Sequence, residues 1–296
     1  MRIITYTTTQ EDAGRPVRSV VPRRFHLGAH AFRRLKVENG ILLNGQPVRA
    51  DVRLDAGQVL EIHLENGAEA PAAPLPNAAP KSLIRWQDED ILIVSKAAPL
   101  ATLPSRHIQT GTLREELAAL LGENPEAFRY HPVNRLDKGT SGLLVIARHA
   151  HAQRLMGEQL HTGRFIREYL AVTEGIPLEP FGTIDAPIAR PGTGARRIIR
   201  EDGQRAVTHY RVEAVCRGRA LVRLRLETGR THQIRVHLAS LGCPIAGDYL
   251  YGQALDALEG RFALHSAHLA CTQPLTGQKI TLDEPLPEAL AALLIS

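Results

Sequence analysis

Residues 131–148 read HPVNRLDKGTSGLLVIAR, and this stretch carries the strongest signals for both fold and chemistry. The apolar run at residues 143–147 follows Gly142 and is typical of a buried strand. Asp137 would then lie on a tight loop at the mouth of that strand, between Arg135 and Lys138. Nearby opposite charge favours the ionised form of a carboxylate, which suits a nucleophile or a base better than a general acid. A surface aspartate that caps a turn is the alternative interpretation.

Positive charge is concentrated in two segments of the chain, whose formal net charge is +5. Residues 15–36 contain seven basic side chains and no acidic one, and residues 187–235 contain twelve arginines against four acidic side chains. The planar guanidinium of arginine can form paired hydrogen bonds with phosphate, whereas lysine offers only a point charge. The pattern therefore favours a nucleic-acid partner, although arginine-rich segments also serve solubility.

The sequence has the features of a protein from a reducing compartment. The three cysteines are far apart and form no CxxC pair, so reduced thiols are expected. No signal-peptide core is present, and no apolar run approaches roughly 18 residues. We expect a cytoplasmic protein with no membrane partner.

Composition divides the chain into two units. Residues 68–80 read AEAPAAPLPNAAP and are typical of a semi-extended linker. They separate a small unit, residues 1–67, from a larger one, residues 81–296. In the small unit the pattern predicts a basic helix over residues 27–37, a hairpin around Asn44 and Gly45, and a closing strand that ends near residue 64.

In the larger unit, strands outnumber helices. Helices are predicted over residues 113–121, 150–161 and 228–242, the first opened by a capping box between Thr112 and Glu115. The predicted strands are residues 91–95, 143–147, 166–173, 206–216, 220–227, 263–272 and 279–282. Because hairpins are commoner than strand–helix–strand units, we expect an α+β fold, with a mixed, largely antiparallel sheet in the catalytic domain and a small α+β unit before it.

Three motifs, in their order and spacing, resemble those of the RluA-type family of pseudouridine synthases. They are NRLDKGTSGLLVIAR around Asp137, REYLAV around Tyr169, and ETGRTHQIRVHLASLGCPIAGDYLYG at residues 227–252. The basic helices, hairpin and strand of residues 1–67 are similar to an S-four-like RNA-binding domain, named after a small-subunit ribosomal protein. The resemblance spans nearly the whole chain. It implies the pseudouridine synthase fold and the isomerisation of uridine to pseudouridine in structured RNA.

The resemblance also implies roles for individual residues. Asp137 would be the catalytic carboxylate, and attack on ribose carbon 1′, attack on uracil carbon 6 and removal of the 2′ proton all remain open. Tyr169 would stack on the base and could remove the carbon 5 proton. Arg235 would pair with Asp137, and Arg135 would enter the RNA helix where the target uridine has been flipped out. Without the resemblance, an ordinary strand aromatic is the favoured interpretation of Tyr169, and a solvated helix residue is that of Arg235.

Other positions are expected to support the site or to bind RNA. Lys96 resembles a lysine of the family's first motif and would support the site's structure, with a surface lysine as the alternative. Asn134 departs from the family pattern, in which histidine commonly precedes RLD, and asparagine cannot titrate. The expected RNA contacts are Arg33, Arg34, Lys36, Arg196 and Arg197, the last two in a flexible basic loop.

The expected partner is RNA, and an S-four-like unit favours large-subunit rRNA over tRNA. The resemblance implies no cofactor, no metal, no obligate protein partner and a monomer. Two other classes are less consistent with the sequence. A non-catalytic RNA-binding protein is disfavoured by the presence of Asp137, Tyr169 and Arg235. A metal hydrolase built on four histidines is disfavoured because their spacing matches no standard zinc pattern; these are His232, His237, His265 and His268.

Overall fold

The computed structural model describes residues 2–64, 83–105 and 108–295. Its strands form a four-stranded sheet near the N-terminus, a ten-stranded sheet in the rest of the chain and a separate two-stranded ribbon. The linker expected at residues 68–80 lies outside the described residues. None of the described helices is long and apolar enough to cross a membrane.

The N-terminal sheet is antiparallel and has the strand order β1-β4-β2-β3. Its elements are β1 (Arg2–Thr7), α1 (Val17–Arg24), α2 (Ala29–Val37), β2 (Ile41–Leu43), β3 (Gln46–Pro47) and β4 (Val59–Leu64). The two helices and the sheet enclose a core of their own, which includes Val20, Leu35, Leu54, Leu60 and Ile62. Burial of a side chain of this size contributes about 1.5–3 kcal/mol, so this unit has its own source of stability.

The hairpin predicted at Asn44 and Gly45 is confirmed. These residues have φ values of 51° and 78°, the left-handed pair that lets a two-residue turn follow the twist of its strands. The predicted strand ending at Leu64 is also present as β4. The basic helix begins at Ala29, two residues later than predicted, because Gly28 keeps an extended backbone.

The larger sheet follows the order β10-β13-β14-β9-β15-β8-β6-β5, with β16 beside β15 and β7 beside β8. Its strands are β5 (Ile84–Gln87), β6 (Ile91–Lys96), β7 (His131–Pro132), β8 (Ser141–Ala147), β9 (Ile166–Glu174), β10 (Phe181–Asp185), β13 (Val207–Cys216), β14 (Arg219–Leu226), β15 (Leu264–Thr272) and β16 (Lys279–Asp283). The ribbon pairs β11 (Ile188–Ala189) with β12 (Ile198–Ile199). The helices are α3 (Leu113–Leu120), α4 (Ala150–Leu160), α5 (Gln233–Ser240) and α6 (Glu288–Ala291).

Within the described part of the sheet, β8 and β15 are parallel and the other strand pairs are antiparallel. The expected mixed, largely antiparallel sheet is therefore confirmed. The parallel pair brings His265 and Ser266 beside Ser141 and Gly142, so the loop before β8 faces the start of β15.

The centre of the sheet is covered on both faces. Leu92 of β6 belongs to the cluster that contains Leu113 of α3, whereas Ile93 of the same strand belongs to the cluster that contains Met156 of α4. Successive residues of a strand point to opposite faces, which explains why β6 is apolar throughout residues 91–94 and β8 throughout residues 143–147. The capping box that starts α3 is present, and the Glu115 carboxylate accepts from the Thr112 backbone N–H at 3.0 Å.

The helix predicted over residues 228–242 is shorter, because α5 begins only at Gln233. The Gln233 side chain holds the preceding residues in a loop, since its Oε1 accepts from Thr228 Oγ1 at 2.8 Å and from the Arg230 backbone N–H at 2.9 Å. Its Nε2 donates to the carbonyl of Val207 at 2.9 Å. Side-chain bonds to the local backbone compete with helix formation in this way, and they keep this loop beside β13.

Candidate active site

Asp137 lies in a cavity of about 740 Å³. The wall is built by the loop before β8, by β9, and by the loop that leads into α5. Its lining includes Thr102, Asn134, Arg135, Asp137, Arg167, Tyr169, Arg197, His232 and Arg235. Ligand cavities of about 300–1,000 Å³ are usual, so the space suits a nucleotide-sized group.

Two glycines allow the Asp137 turn to pack directly on β15. A Cβ on Gly139 would lie 2.6 Å from the ring of Phe262. Gly142 has φ of 105°, and a Cβ there would lie 2.2 Å from the carbonyl oxygen of Ser266. Only glycine combines this backbone conformation with so close an approach. The Gly-Thr-Ser-Gly sequence therefore fixes the turn against the sheet.

Lys96 supports the same turn from the other side. Its side chain is 1% exposed, and Nζ donates to the carbonyls of Ala97 at 2.8 Å, Leu100 at 2.7 Å and Lys138 at 3.3 Å. Burial lowers the pKa of Lys96 to about 7, and the nearby Asp137 carboxylate partly offsets this. The lysine thus joins the end of β6 to the residue after Asp137.

Arg235 connects Asp137 to a second carboxylate. Its Nη1 donates to Asp137 Oδ2 at 3.2 Å, while Nε and Nη2 donate to the two oxygens of Asp248 at 2.7 and 2.8 Å. Asp248 is fully buried, and the guanidinium lies 4.2 Å from the ring centroid of Phe262. The pairing of Arg235 with Asp137 that the sequence implied is therefore present.

The cations that flank Asp137 in the chain do not form the expected pair with it. Arg135 and Lys138 are exposed, and in the described structure neither is paired with the Asp137 carboxylate. The turn directs their side chains to solvent while Asp137 points inward to Arg235. Arg135 nevertheless lines the cavity.

Tyr169 lies in β9 and is 4% exposed. It pairs in register with Leu224 on one side and Ser266 on the other. Burial raises the pKa of the Tyr169 phenol, the Arg167 cation partly offsets this, and the Asp137 carboxylate raises it further. The phenol consequently stays protonated at neutral pH and is a donor there.

The predicted basic loop is the turn of the β11–β12 ribbon, and its own arginines bond to its carbonyls. Arg190 donates to the carbonyls of Thr193 and Gly194 at 2.6 and 3.2 Å, and Arg197 donates to the carbonyl of Ala195 at 2.8 Å. Arg196 is exposed and lies over the ring of Tyr251 at 5.7 Å, whereas Arg197 lines the cavity.

The segment at residues 187–235 is not one cationic surface. At least six of its twelve arginines are paired with acidic side chains of the described structure: Arg200, Arg205, Arg211, Arg219, Arg223 and Arg235. Antiparallel pairing of β13, β14 and β9 places arginine and glutamate on the same face, as in Arg223 with Glu213 and Glu168. The positive surface is therefore smaller than the sequence suggested.

The basic residues of α2 in the N-terminal unit are mostly exposed. Arg33, Arg34 and Lys36 of α2 are exposed, while Leu35 faces the core. Arg34 forms an ion pair with Glu38 at 3.5 Å. In α1, Arg24 forms an ion pair with Asp12 at 2.9 Å.

Asn134 is a buried structural residue, since its Oδ1 accepts from the Val145 N–H at 3.0 Å. The four histidines considered as metal ligands have separate partners. His237 contacts Thr208 at 2.8 Å, His265 contacts Ser141 at 2.9 Å, and His268 contacts Asp283 at 2.7 Å. In residues 2–64, 83–105 and 108–295, no group of three or more His, Cys, Asp or Glu side chains could hold one metal ion.

Sequence reasoning missed four residues of this site: His232 as a neighbour of Asp137, and Asp248, Tyr251 and Phe262 altogether. Tyr251 contacts the loop before α5, because its hydroxyl lies 2.9 Å from His232 Nδ1. His232, Asp248 and Tyr251 fall inside the third motif, so their position there was a usable signal. Phe262 lies outside every motif, and nothing in the sequence indicated it.

The fold and the site define an RNA-modifying isomerase. Residues 90–240 match the family described as RNA pseudouridylate synthase, and the chain belongs to that family. It is therefore an RNA pseudouridine synthase, an enzyme that isomerises uridine to pseudouridine in RNA.

Relatives match along most of their length. The chain is 38% identical over 270 residues to ribosomal large subunit pseudouridine synthase D of Xanthomonas campestris pv. campestris, covering 86% of this chain and 80% of the relative. It is 40% identical over 255 residues to the protein of the same name from Nitrosomonas europaea, covering 82% and 70%. It is 34% identical over 253 residues to the Bacillus subtilis RNA pseudouridine synthase YjbO, covering 85% and 88%.

Two solved structures of human pseudouridylate synthase domain proteins have a similar fold. Human RNA pseudouridylate synthase domain containing 4 superposes with a TM-score of 0.57 at 26% identity, over 70% of this chain and 90% of that one. Human RNA pseudouridylate synthase domain containing 1 gives a TM-score of 0.56 at 25% identity, over 73% and 90%. The expected pseudouridine synthase fold is thereby confirmed.

Proposed function

We propose that this enzyme converts specific uridines of large-subunit ribosomal RNA to pseudouridine, with Asp137 as its catalytic carboxylate. The observation that carries the proposal is the placement of Asp137: its carboxylate lies in the cavity, is 28% exposed and is held by Arg235 through one oxygen only. A held but accessible carboxylate suits attack on a substrate or removal of its proton.

The reaction needs little besides this group. The bond between ribose carbon 1′ and uracil nitrogen 1 breaks, the base turns, and carbon 5 bonds to carbon 1′. Carbon 5 loses a proton and nitrogen 1 gains one, so the reaction is an isomerisation. Asp137 can attack carbon 1′, attack carbon 6 of the base, or remove the 2′ proton. Arg235 pairs with the carboxylate in each route and fixes its orientation, because it is itself anchored on Asp248.

Tyr169 serves best as a packing and donor group in this proposal. Its phenol lines the cavity and burial raises its pKa, so it is a weak base at neutral pH. A protonated phenol can stack on the uracil and donate a hydrogen bond to it. Removal of the carbon 5 proton by Tyr169 is correspondingly disfavoured.

Arg135 and Arg197 line the same cavity as Asp137. A uridine inside a stem must leave the stack to enter such a cavity, and unstacking costs a few kcal/mol. An exposed guanidinium beside the entrance can occupy the space left by the base and stack on its neighbours. We assign Arg135 this role, with Arg196 and Arg197 as phosphate contacts.

The N-terminal unit, residues 1–67, acts in this proposal as an S-four-like RNA-binding domain ahead of a catalytic domain at residues 81–296. Support comes from the separate core and from the exposed basic residues Arg33, Arg34 and Lys36 on α2. Basic side chains on one helix face can follow an RNA backbone. This second contact would help select the uridine.

The choice of large-subunit rRNA rests on the names of the relatives from Xanthomonas campestris pv. campestris and Nitrosomonas europaea. We further propose a cytoplasmic monomer with no obligate protein partner and no cofactor. Cys216, Cys243 and Cys271 are free thiols, which fits a reducing compartment.

The test is pseudouridine mapping of total RNA from cells that lack the gene, restored with the wild type, with Asp137→Asn or with Asp256→Asn. Asp256 is an exposed aspartate of the same unit and controls for the amide substitution. We expect one or more large-subunit rRNA sites to be lost on deletion and regained with wild type and Asp256→Asn only.

Restoration by Asp137→Asn would remove Asp137 from the chemistry. A lost site in tRNA alone would overturn the rRNA assignment and leave the activity intact. Purified Asp137→Asn should also bind the mapped RNA as tightly as the wild type, because the change removes the reactive group and not the phosphate contacts.

A further inference from the structure

The loop between β14 and α5 holds an active-site histidine in an uncommon backbone conformation. His232 has φ of 59° and immediately precedes α5. Left-handed φ values are uncommon for residues with a side chain. Its side chain makes no capping bond to the helix. Helix capping therefore does not account for the conformation. A residue with an uncommon backbone conformation in a cavity is a candidate for function.

The imidazole lies between the catalytic aspartate and a tyrosine. Nε2 is 3.9 Å from Asp137 Oδ2, on the oxygen that Arg235 also contacts. Nδ1 is 2.9 Å from the Tyr251 hydroxyl. The ring of Tyr251 stands edge-on to His232 at 5.8 Å between centroids. Movement of His232 by about 1 Å would complete a hydrogen bond to Asp137, and such bonds commonly tighten when substrate binds.

The hydrogen-bond pattern favours one tautomer of His232. The backbone N–H of Arg197 can only donate, and it donates to the Tyr251 oxygen at 2.7 Å. Within the described structure, His232 Nδ1 is then the acceptor within reach of the Tyr251 proton. A neutral imidazole that accepts at Nδ1 carries its proton on Nε2. Burial lowers the pKa of His232, with the Asp137 carboxylate opposing this, so the ring is neutral near pH 7.

We propose that His232 is a positioning residue for Asp137: its Nε2–H, fixed in that tautomer by Tyr251, is the second donor to the Asp137 carboxylate besides Arg235. This inference rests on the proposed role of Asp137. Two donors on Oδ2 leave Oδ1 free for the substrate and stop the carboxylate from rotating. The chain from the Arg197 N–H through Tyr251 to His232 also ties the β11–β12 ribbon to the orientation of Asp137.

The test compares variants that share the strained backbone. His232→Gln retains an N–H donor near the Nε2 position, whereas His232→Leu has similar bulk and no donor. We expect His232→Leu to lower kcat by about 10–100-fold, as misplacement of a reacting group by about 1 Å does, with KM for RNA unchanged. His232→Gln should keep most of the wild-type kcat. Equal kcat values for the two variants would overturn the proposal.

A second pair of measurements separates orientation from folding. His232→Gly relieves the left-handed backbone and should lose kcat as His232→Leu does, with partial recovery on adding imidazole. Nitrogen-15 NMR of the RNA-free protein should show His232 protonated at Nε2, assigned by its absence in His232→Gln. In Tyr251→Phe this single tautomer should give way to a mixture.

An Nδ1-protonated wild type, or wild-type kcat in His232→Gly, would refute the role. The NMR result needs no substrate. A wrong RNA assignment would therefore appear as no turnover by the wild type while the tautomer is still Nε2–H, and the two failures are distinguishable.

Discussion

Replacing Arg235 with methionine should destabilise the catalytic unit more than any surface change, and a second substitution should reverse part of that loss. Arg235 is 2% exposed and Asp248 is fully buried, with two hydrogen bonds of 2.7 and 2.8 Å between them. Removing one partner of a buried ion pair leaves the other charge uncompensated and costs about 3–5 kcal/mol. We expect Arg235→Met to fall in that range.

In Arg235→Met/Asp248→Asn the stranded charge is gone. The amide introduced at position 248 can still accept from the Leu250 N–H, which bonds to Asp248 Oδ1 at 3.0 Å in the wild type. The remaining penalty is therefore that of an incompletely paired amide, about 1–3 kcal/mol. The double variant should thus regain roughly 2 kcal/mol over Arg235→Met, a coupling of the size found for contacting residues. Activity should stay lost in both, because neither retains the donor to Asp137.

The assay is urea unfolding followed by tryptophan fluorescence. Trp86 is the only tryptophan of the chain and lies in β5, so the signal reports the catalytic unit without the N-terminal core. A two-state analysis is better justified for that unit than for the whole chain. If Arg235→Met cost less than about 1 kcal/mol, or the double variant were no more stable than the single, Asp248 would not depend on Arg235 for its charge balance.

Three other substitutions probe the turn, the buried lysine and the basic helix. Gly142→Ala should lower the free energy of unfolding by more than about 4 kcal/mol, because its Cβ would lie 2.2 Å from a β15 carbonyl. Gly157→Ala in α4 has nothing within 4 Å of the added Cβ and should raise the free energy of unfolding by about 0.5–1 kcal/mol. The same fluorescence assay measures both. Burial lowers the pKa of Lys96 to about 7. Between about pH 7 and pH 10 the unfolded chain therefore binds one more proton than the folded chain, and the stability due to this group rises with pH. Lys96→Met should abolish that rise, and an unchanged pH profile of stability would show that Lys96 does not titrate in this range. Replacing Arg33, Arg34 and Lys36 together with alanine should weaken RNA binding and reduce the slope of log affinity against log salt by up to about 2, because Arg34 is already paired with Glu38. A change of Arg211, which is paired with Glu213, should leave the slope nearly unaltered.

The sequence predicted most elements of the fold, because their signals are local. Apolar runs and their spacing located β8, β9 and α4, and the Asn44–Gly45 pair located a hairpin. Where the prediction failed, a tertiary contact overrode the local pattern. The stretch before Gln233 has helix-compatible residues, yet the Gln233 side chain bonds to its backbone and to β13, and the helix starts late.

For the candidate site, too, local signals were predictable and tertiary contacts were not. Asp137, Tyr169 and Arg235 belong to short motifs, and the family resemblance identified them. The residues that hold them come together only through the sheet, as when Phe262 meets Arg235 across 27 positions of chain. The basic character of residues 187–235 was overestimated for a related reason, since strand pairing determines which arginine meets a glutamate, and composition carries no information on pairing.

The arrangement around Asp137 leads us to expect that activity depends on the complete sheet. Lys96 reaches the turn from β6, Gly142 packs it against β15, and Arg235 holds the carboxylate from α5 with Asp248 behind it. These supports are brought together at the pairing of β8 with β15, the one parallel pair of strands in the described part of the main sheet. An opening of that pairing would move the turn away from β15 and from Arg235 at once. Because local openings need less free energy than global unfolding, substitutions that loosen β8 from β15 should lower turnover at urea concentrations where Trp86 still reports a folded unit.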